Sequence, residues 1–121
     1  MKETRFPDNA SLPLLQKYVK EKCIERGFDR ASDLEICLLF TEEIGEMAKA
    51  IRKQRSLFEE EAKAPTADEN EEARKQRIKA NLGEEMADVL SYLLDLANRF
   101  DVDLASAFRT KEAENDKRSW K

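Results

Sequence analysis

The sequence contains no histidine among its 121 residues, and this absence excludes several kinds of active site. A Ser-His-Asp triad, a His-ligated zinc or haem and the Glu-x-x-His di-iron site of helical bundles all require an imidazole. Glycine and proline are also scarce, with 3 of each, so few residues favour tight turns. A chain with few turns is most simply built from a small number of long helices.

Other absences bear on ligands and compartment. No GxxxxGK[ST] or GxGxxG motif is present, so we expect neither a P-loop nor a Rossmann phosphate cradle. The net charge of -4 argues against a nucleic-acid partner. No apolar run approaches the ~18 residues of a membrane span and no signal peptide opens the sequence, so we expect no membrane partner and a cytoplasmic protein. Cys23 and Cys37 form no CxxC motif and are expected to be reduced.

The first two predicted helices have recognisable ends. Ser11 can cap the first helix, which has Pro13 in its first turn, and Gly27 can end it. Ser32 and Glu35 form a capping box at the start of the second helix. Apolar residues recur at helical spacing after both starts, at Leu12, Leu15, Tyr18, Val19 and Cys23 and at Leu34, Cys37, Leu38, Ile44, Met47, Ala48 and Ile51.

Two further helices are predicted in the second half of the chain. A third helix is expected to be under way by Ile78, and its apolar stripe is wide enough to need neighbours on two sides. Further along it, Asp95 has Arg99 four residues on, which is typical of an ordinary helical ion pair. Asp101 or Asp103 can cap a fourth helix.

The fold class follows from these four helices. We expect an all-α, four-helix bundle-like protomer that oligomerises through its helix faces, with a single helical domain over residues 1–121. Residues 1–10 are polar and predict a loose arm. Residues 59–72 lose their apolar content and predict a mobile acidic connection between the second and third helices.

Two pairs of acidic residues fall within the second and third helices. Glu43 and Glu46 are three residues apart, as are Glu85 and Asp88, so the members of each pair share a helix face beside the apolar stripe. Three of the four, all but Glu46, have no Lys or Arg three or four residues away, so their repulsion is unrelieved locally. Carboxylate ligands without His or thiolate favour Mg²⁺, or alternatively Mn²⁺, over zinc. The alternative is a solvated helix face in a highly charged chain.

Gly45 and Gly83 lie beside these acids. Glycine within a helix costs up to ~1 kcal/mol relative to alanine, so a close approach of another backbone would explain both residues. Gly83 is also compatible with a kink.

The fourth helix carries a second polar feature. Leu104, Phe108, Lys111, Asn115 and Arg118 follow at spacings of four, three, four and three, so one face begins apolar and continues as two bases and an amide. Such a face offers hydrogen-bond donors to a polyanion. The alternative is a solvated C-terminal turn, where cations are favourable because of the helix dipole.

These motifs resemble those of the all-α nucleoside triphosphate pyrophosphohydrolases, the MazG-like family. The segment Glu43–Glu46 is similar to the family's ExxE motif, Glu85–Asp88 with the following apolar run to its ExxD motif, and Lys111-(x3)-Asn115-(x2)-Arg118 to its C-terminal basic motif. The resemblance covers roughly residues 11–120. The stretch from Met47 to Glu84 is longer than in compact members, and no clear counterpart of the aromatic residues around the base is found.

The resemblance implies an enzyme that converts a nucleoside triphosphate and water into a nucleoside monophosphate and pyrophosphate, and a role in clearing non-canonical nucleotides. It implies Mg²⁺ on Glu43, Glu46, Glu85 and Asp88, and a carboxylate general base at Glu42 or Glu43. It also implies phosphate binding by Lys111, Asn115 and Arg118, and a contact of Tyr92 with sugar or base. Family members act as dimers or tetramers, so a homodimer or homotetramer is expected.

Two other interpretations remain open at this stage. The acids could belong to a non-catalytic helical module that binds a partner protein. A related pyrophosphohydrolase could instead act on a phosphoribosyl-ATP-type substrate, which the motifs alone do not distinguish. A carboxylate di-metal oxidase is disfavoured because such sites usually need His ligands.

Overall fold

Helices account for nearly all the regular structure of the chain. The computed structural model describes residues 6–55 and 69–120, and no β-strand occurs within these ranges. Within the same ranges lie four α-helices, α1 (Leu12–Glu25), α2 (Asp33–Gln54), α3 (Glu71–Arg99) and α4 (Leu104–Asn115), and a short 3₁₀ helix, Phe28–Arg30. The all-α expectation is confirmed. Residues 1–5 of the predicted arm and 59–68 of the predicted connection lie outside the described residues.

The ends of α1 follow the local sequence signals. The Ser11 hydroxyl accepts a hydrogen bond from the backbone N–H of Leu14 at 3.4 Å, and Pro13 lies in the first turn. Gly27 takes a left-handed conformation with φ of 79° just after the helix. Glycine adopts this conformation without the steric cost that a Cβ would add, so Gly27 ends α1 as predicted.

The junction between α3 and α4 uses both of the predicted aspartates, for different purposes. Asp101 has a φ of 55°, and the next N–H, that of Val102, donates to the carbonyl of Ala97 at 2.8 Å. This is the pattern that ends many helices, here with Asp in place of the usual Gly. Asp103 is the cap of α4, since its carboxylate accepts from the N–H of Ala105 at 3.1 Å.

Helix α3 begins earlier than the sequence indicated. Glu71 and Glu72, the last two residues of the predicted connection, already belong to the helix. The Asn70 side-chain oxygen accepts from the N–H of Ala73 at 2.8 Å and so caps the helix start. Two acids in a first turn are favoured by the helix dipole, so a run that looked too polar for helix is stable there.

The chain divides into two compact units. The terminal unit comprises Met1–Asp33 and Leu93–Lys121, and the central unit comprises Leu34–Tyr92. In the terminal unit the buried carboxamide of Gln16 donates to the carbonyl of Val102 at 2.6 Å and accepts from the N–H of Leu104 at 3.3 Å. These bonds join the middle of α1 to the turn that precedes α4.

Arg99 makes a second set of long-range bonds in the terminal unit. Its guanidinium pairs with Asp95 at 2.9 Å and donates to the carbonyls of Ala31 at 2.6 Å and Phe28 at 2.9 Å. It also lies 3.4 Å from Asp33. Arg99 therefore forms the helical ion pair that its spacing to Asp95 predicts. It also binds the segment between α1 and α2 through the carbonyls of Ala31 and Phe28.

The central unit leaves much of its apolar surface exposed. Ile36, Ala50 and Ile78 are buried, whereas Leu34 and Leu38 on α2 are 79% and 69% exposed. Two helices cannot cover the wide stripes that the sequence carries. None of the described helices is both long enough and apolar enough for a membrane span.

Candidate metal centre

Three carboxylates from two helices converge in the central unit. One oxygen from each of Glu43 on α2 and Glu85 and Asp88 on α3 lies within 4.8 Å of the others. Glu43 and Glu85 are half-buried, and Asp88 is exposed. The structure thus brings together three of the four acids that the i,i+3 pairs predicted.

The position of Glu43 along α2 explains why it points inward. Glu43 lies seven residues after the buried Ile36 and seven before the buried Ala50, so all three share one helix face. Glu85 has the same relation on α3 to the buried Ile78 and the half-buried Tyr92. In each helix a glutamate occupies a position where the pattern calls for an apolar residue. Folding the apolar seams therefore brings the carboxylates together.

The site carries concentrated negative charge. Partial burial raises the pKa of Glu43, and the charges of Asp88, Glu85, Glu46 and Glu42 raise it further. No Lys or Arg of the described chain makes an ion pair with any of the three converging acids. Carboxylate oxygens alone are the donor set preferred by hard divalent cations such as Mg²⁺ and Mn²⁺. These three residues therefore fit such a cation.

The other predicted residues of the central unit lie beside this group. Glu46 and Glu42 are exposed on α2 and are not members of it, although both charges act on Glu43. Tyr92 is half-buried, two helical turns after Glu85. The expected backbone approach at Gly45 and Gly83 is wrong for the described residues, since an added Cβ at either position would meet no atom within 4 Å.

The predicted basic residues belong to the terminal unit. Helix α4 ends at Asn115, and Arg118 follows in a tighter turn in which its N–H donates to the Asn115 carbonyl at 3.0 Å. The Lys111 ammonium lies 3.9 Å from Glu114, and both side chains are exposed. The amide nitrogen of Asn115 donates to Glu112 at 3.3 Å, whereas its side-chain oxygen is buried and accepts no hydrogen bond from any residue that the structure describes.

Arg118 has a neighbour that the sequence did not single out. Its guanidinium carbon lies 4.5 Å from the centre of the Trp120 ring. The indole N–H donates to the Asn115 carbonyl at 3.2 Å. The sequence signal that could have indicated this contact is the position of Trp120, an aromatic residue two positions after a candidate phosphate-binding arginine.

One comparison with known proteins identifies the family of the chain. A family model described as the MazG nucleotide pyrophosphohydrolase domain matches residues 32–119, which is most of the chain and includes all three converging acids. No curated protein matches the sequence.

Proposed function

The chain belongs to the MazG nucleotide pyrophosphohydrolase family, a family of hydrolases that act on phosphoanhydride bonds, and from that premise we propose its reaction and site residues. The proposed reaction converts an NTP or dNTP and water into NMP and pyrophosphate, with Mg²⁺ as cofactor and Mn²⁺ as the alternative. One observation supports it above all: Glu43, Glu85 and Asp88 converge with no basic partner in the described part of the chain.

The proposed metal ligands are Glu43, Glu85 and Asp88, with Glu46 as the fourth carboxylate. Glu46 lies one helical turn from Glu43, and its charge already raises the pKa of Glu43. When bound, Mg²⁺ supplies positive charge that offsets repulsion between these acids and a triphosphate and polarises a phosphoryl oxygen. The family is generally dependent on a divalent metal, which agrees with this assignment.

A carboxylate next to the metal ligands is proposed as the general base. Glu42 is exposed beside Glu43 and lies outside the converging group, so its oxygens are not required for the metal. Glu43 is the second candidate, through whichever of its oxygens does not bind the metal. The base takes a proton from water as the water oxygen bonds to phosphorus and the bond between the α- and β-phosphates breaks.

The phosphate chain and the nucleoside are assigned to other residues. Lys111, Asn115 and Arg118 are proposed to bind the phosphates, because an ammonium, an amide and a guanidinium all donate hydrogen bonds to anionic oxygens. Tyr92 is proposed to contact sugar or base. Clearing of non-canonical nucleotides is the role we propose for the reaction.

We also propose that the protein is a homodimer or homotetramer. The support is the exposed apolar surface of the central unit, which includes Leu34, Leu38 and Met86. Isolated exposed leucines are ordinary, but several on two neighbouring helices indicate an interface. Sedimentation equilibrium tests this proposal. A monomer at all concentrations contradicts it, and Leu38→Glu is expected to shift an oligomer towards the monomer.

Product analysis tests the proposed reaction. The purified protein is incubated with common and damaged NTPs and dNTPs, with Mg²⁺ or with EDTA, and the products are separated by anion exchange. NMP and pyrophosphate formed only with Mg²⁺ support the proposal and rank the bases. Formation of NDP and orthophosphate would show that the bond between the β- and γ-phosphates is cleaved instead, and would contradict the proposed reaction. If no nucleotide reacts, a phosphoribosyl-ATP-type substrate is tested next, and inactivity there favours an acidic interaction module.

A further inference from the structure

Trp120 is an exposed aromatic residue that is nevertheless held in place. It is 69% exposed, yet its indole N–H donates to the Asn115 carbonyl at 3.2 Å and the Arg118 guanidinium carbon lies over its ring, 4.5 Å from the ring centre. An exposed indole gains little from burial, so two specific contacts point to a role in orienting a neighbour.

The neighbour that Trp120 orients is Arg118. Three acids lie within six residues of it, at Glu112, Glu114 and Asp116, yet no carboxylate of the described residues makes an ion pair with its guanidinium. A cation–π contact restrains a guanidinium without neutralising its charge, so its N–H groups remain available to donate to an anion. Arg118 therefore presents a fixed, unneutralised set of donors of the kind that matches phosphate oxygens.

We propose that Trp120 is a positioning residue, which holds the Arg118 guanidinium in the orientation that binds the phosphate chain of the substrate. This inference rests on the proposed function, in which Arg118 is a phosphate ligand. Trp120 itself then acts through Arg118 and makes no contact with the nucleobase. The Asn115 carbonyl fixes the indole, so the three residues form one unit at the end of α4.

A double-mutant cycle on hydrolysis of the preferred nucleotide tests the inference. Trp120→Ala is expected to raise KM about fivefold with kcat changed less than about twofold, because the lost contact orients a binding group. Trp120→Phe retains a ring face and is expected to recover most of this loss. In an Arg118→Ala background, Trp120→Ala is expected to have almost no further effect on KM. Arg109→Ala removes an exposed charge from α4, the helix that precedes Arg118 and Trp120, and serves as the control.

A spectroscopic measurement separates this inference from the proposed function. Trp120 is the only tryptophan of the chain, so intrinsic emission reports on it alone. Inorganic tripolyphosphate, which has no base, is expected to change this emission in the wild type and not in Arg118→Ala. If the wild type hydrolyses no nucleotide but shows this change, the proposed reaction fails and the phosphate-orienting role stands.

Two results overturn the inference. One is an equal effect of Trp120→Ala on KM in the wild-type and Arg118→Ala backgrounds, which would indicate an independent contact with the base. The other is emission that responds to a nucleoside without phosphates but not to tripolyphosphate. Thermal melting of each variant shows whether a changed KM arises from loss of folding.

Discussion

Glu43 and Asp88, from two different helices, place carboxylate oxygens within 4.8 Å of each other, and the charge of Asp88 contributes to the raised pKa of Glu43. Opposed acids with no base between them destabilise a fold, whereas acids that share a cation stabilise it. The stability of this protein should therefore depend on whether a divalent cation is present. This dependence can be measured without knowing the substrate.

The first prediction concerns the removal of one charge from the group. Without metal, Glu43→Gln is expected to raise Tm by about 1–3 °C, because relief of like-charge repulsion contributes a few tenths of a kcal/mol. With Mg²⁺ the wild type is expected to gain stability and the variant to gain less. Turnover is expected to fall at least ~100-fold. Thermal melts with Mg²⁺ and with EDTA check this, and Glu21→Gln on the exposed face of α1 is the control.

The second prediction is that the difference in Tm between metal-free Glu43→Gln and the metal-free wild type depends on pH. A raised pKa means that folded Glu43 binds a proton more readily than unfolded Glu43, so its ionisation lowers the stability of the metal-free protein as pH rises. The Tm advantage of Glu43→Gln over the wild type is therefore expected to be largest above the folded pKa and to shrink as pH falls below it. Melts in EDTA from pH 8 to pH ~4.5 test this. If the Tm advantage of Glu43→Gln grew as the pH fell, the raised pKa of Glu43 in the folded protein would be contradicted.

The third prediction concerns the helical glycines. Gly45→Ala and Gly83→Ala are each expected to stabilise the protein by about 0.5–1 kcal/mol, because alanine favours helix and the added methyl meets no described atom. Urea unfolding measures the effect. A loss of stability at either position would show that a second subunit approaches that glycine, and a loss of activity alone would indicate the substrate.

The fourth prediction concerns Arg99, whose side chain is largely buried. Arg99→Ala is expected to destabilise the protein by about 3–5 kcal/mol, because it leaves Asp95 buried and unpaired and removes donors from the carbonyls of Ala31 and Phe28. Arg99→Lys is expected to recover only part of this, since an ammonium cannot reproduce the fork of donors. Arg109→Ala, an exposed change, is the control in urea unfolding. Equal stability of the wild type, Arg99→Ala and Arg99→Lys would refute the role of Arg99.

The helix ends were predictable where the signal is local. Ser11, Gly27 and Asp103 act on backbone groups within a few residues of themselves, so sequence alone indicates their roles. The convergence of Glu43, Glu85 and Asp88 was predictable because amphipathic faces must pack, which brings acids on those faces together. The sequence shows that Glu43 is acidic and has no Lys or Arg three or four residues away. Its place midway between Ile36 and Ala50, which predicts its burial, was equally present in the sequence.

Contacts between distant parts of the chain could not be predicted. Gln16 bonds to Val102, 86 residues away, and nothing in the local sequence distinguishes that glutamine from an exposed one. The sequence predicts the pair of Arg99 with Asp95 from their spacing, but it does not predict the hydrogen bonds from Arg99 to the carbonyls of Phe28 and Ala31. The early start of α3 depended on Asn70, whose capping role was hidden by the surrounding acids.

If the proposed metal centre is correct, the placement of Glu43 and Glu85 in the apolar seams sets a trade-off between activity and stability. Each occupies a position where Leu or Ile would complete a hydrophobic layer, so the same two side chains that lower the stability of the metal-free protein would supply its metal ligands. Replacing both by leucine should give an inert variant that tolerates more heat and more denaturant. Such a variant would be a useful scaffold for engineering, since the centre could be reintroduced one carboxylate at a time.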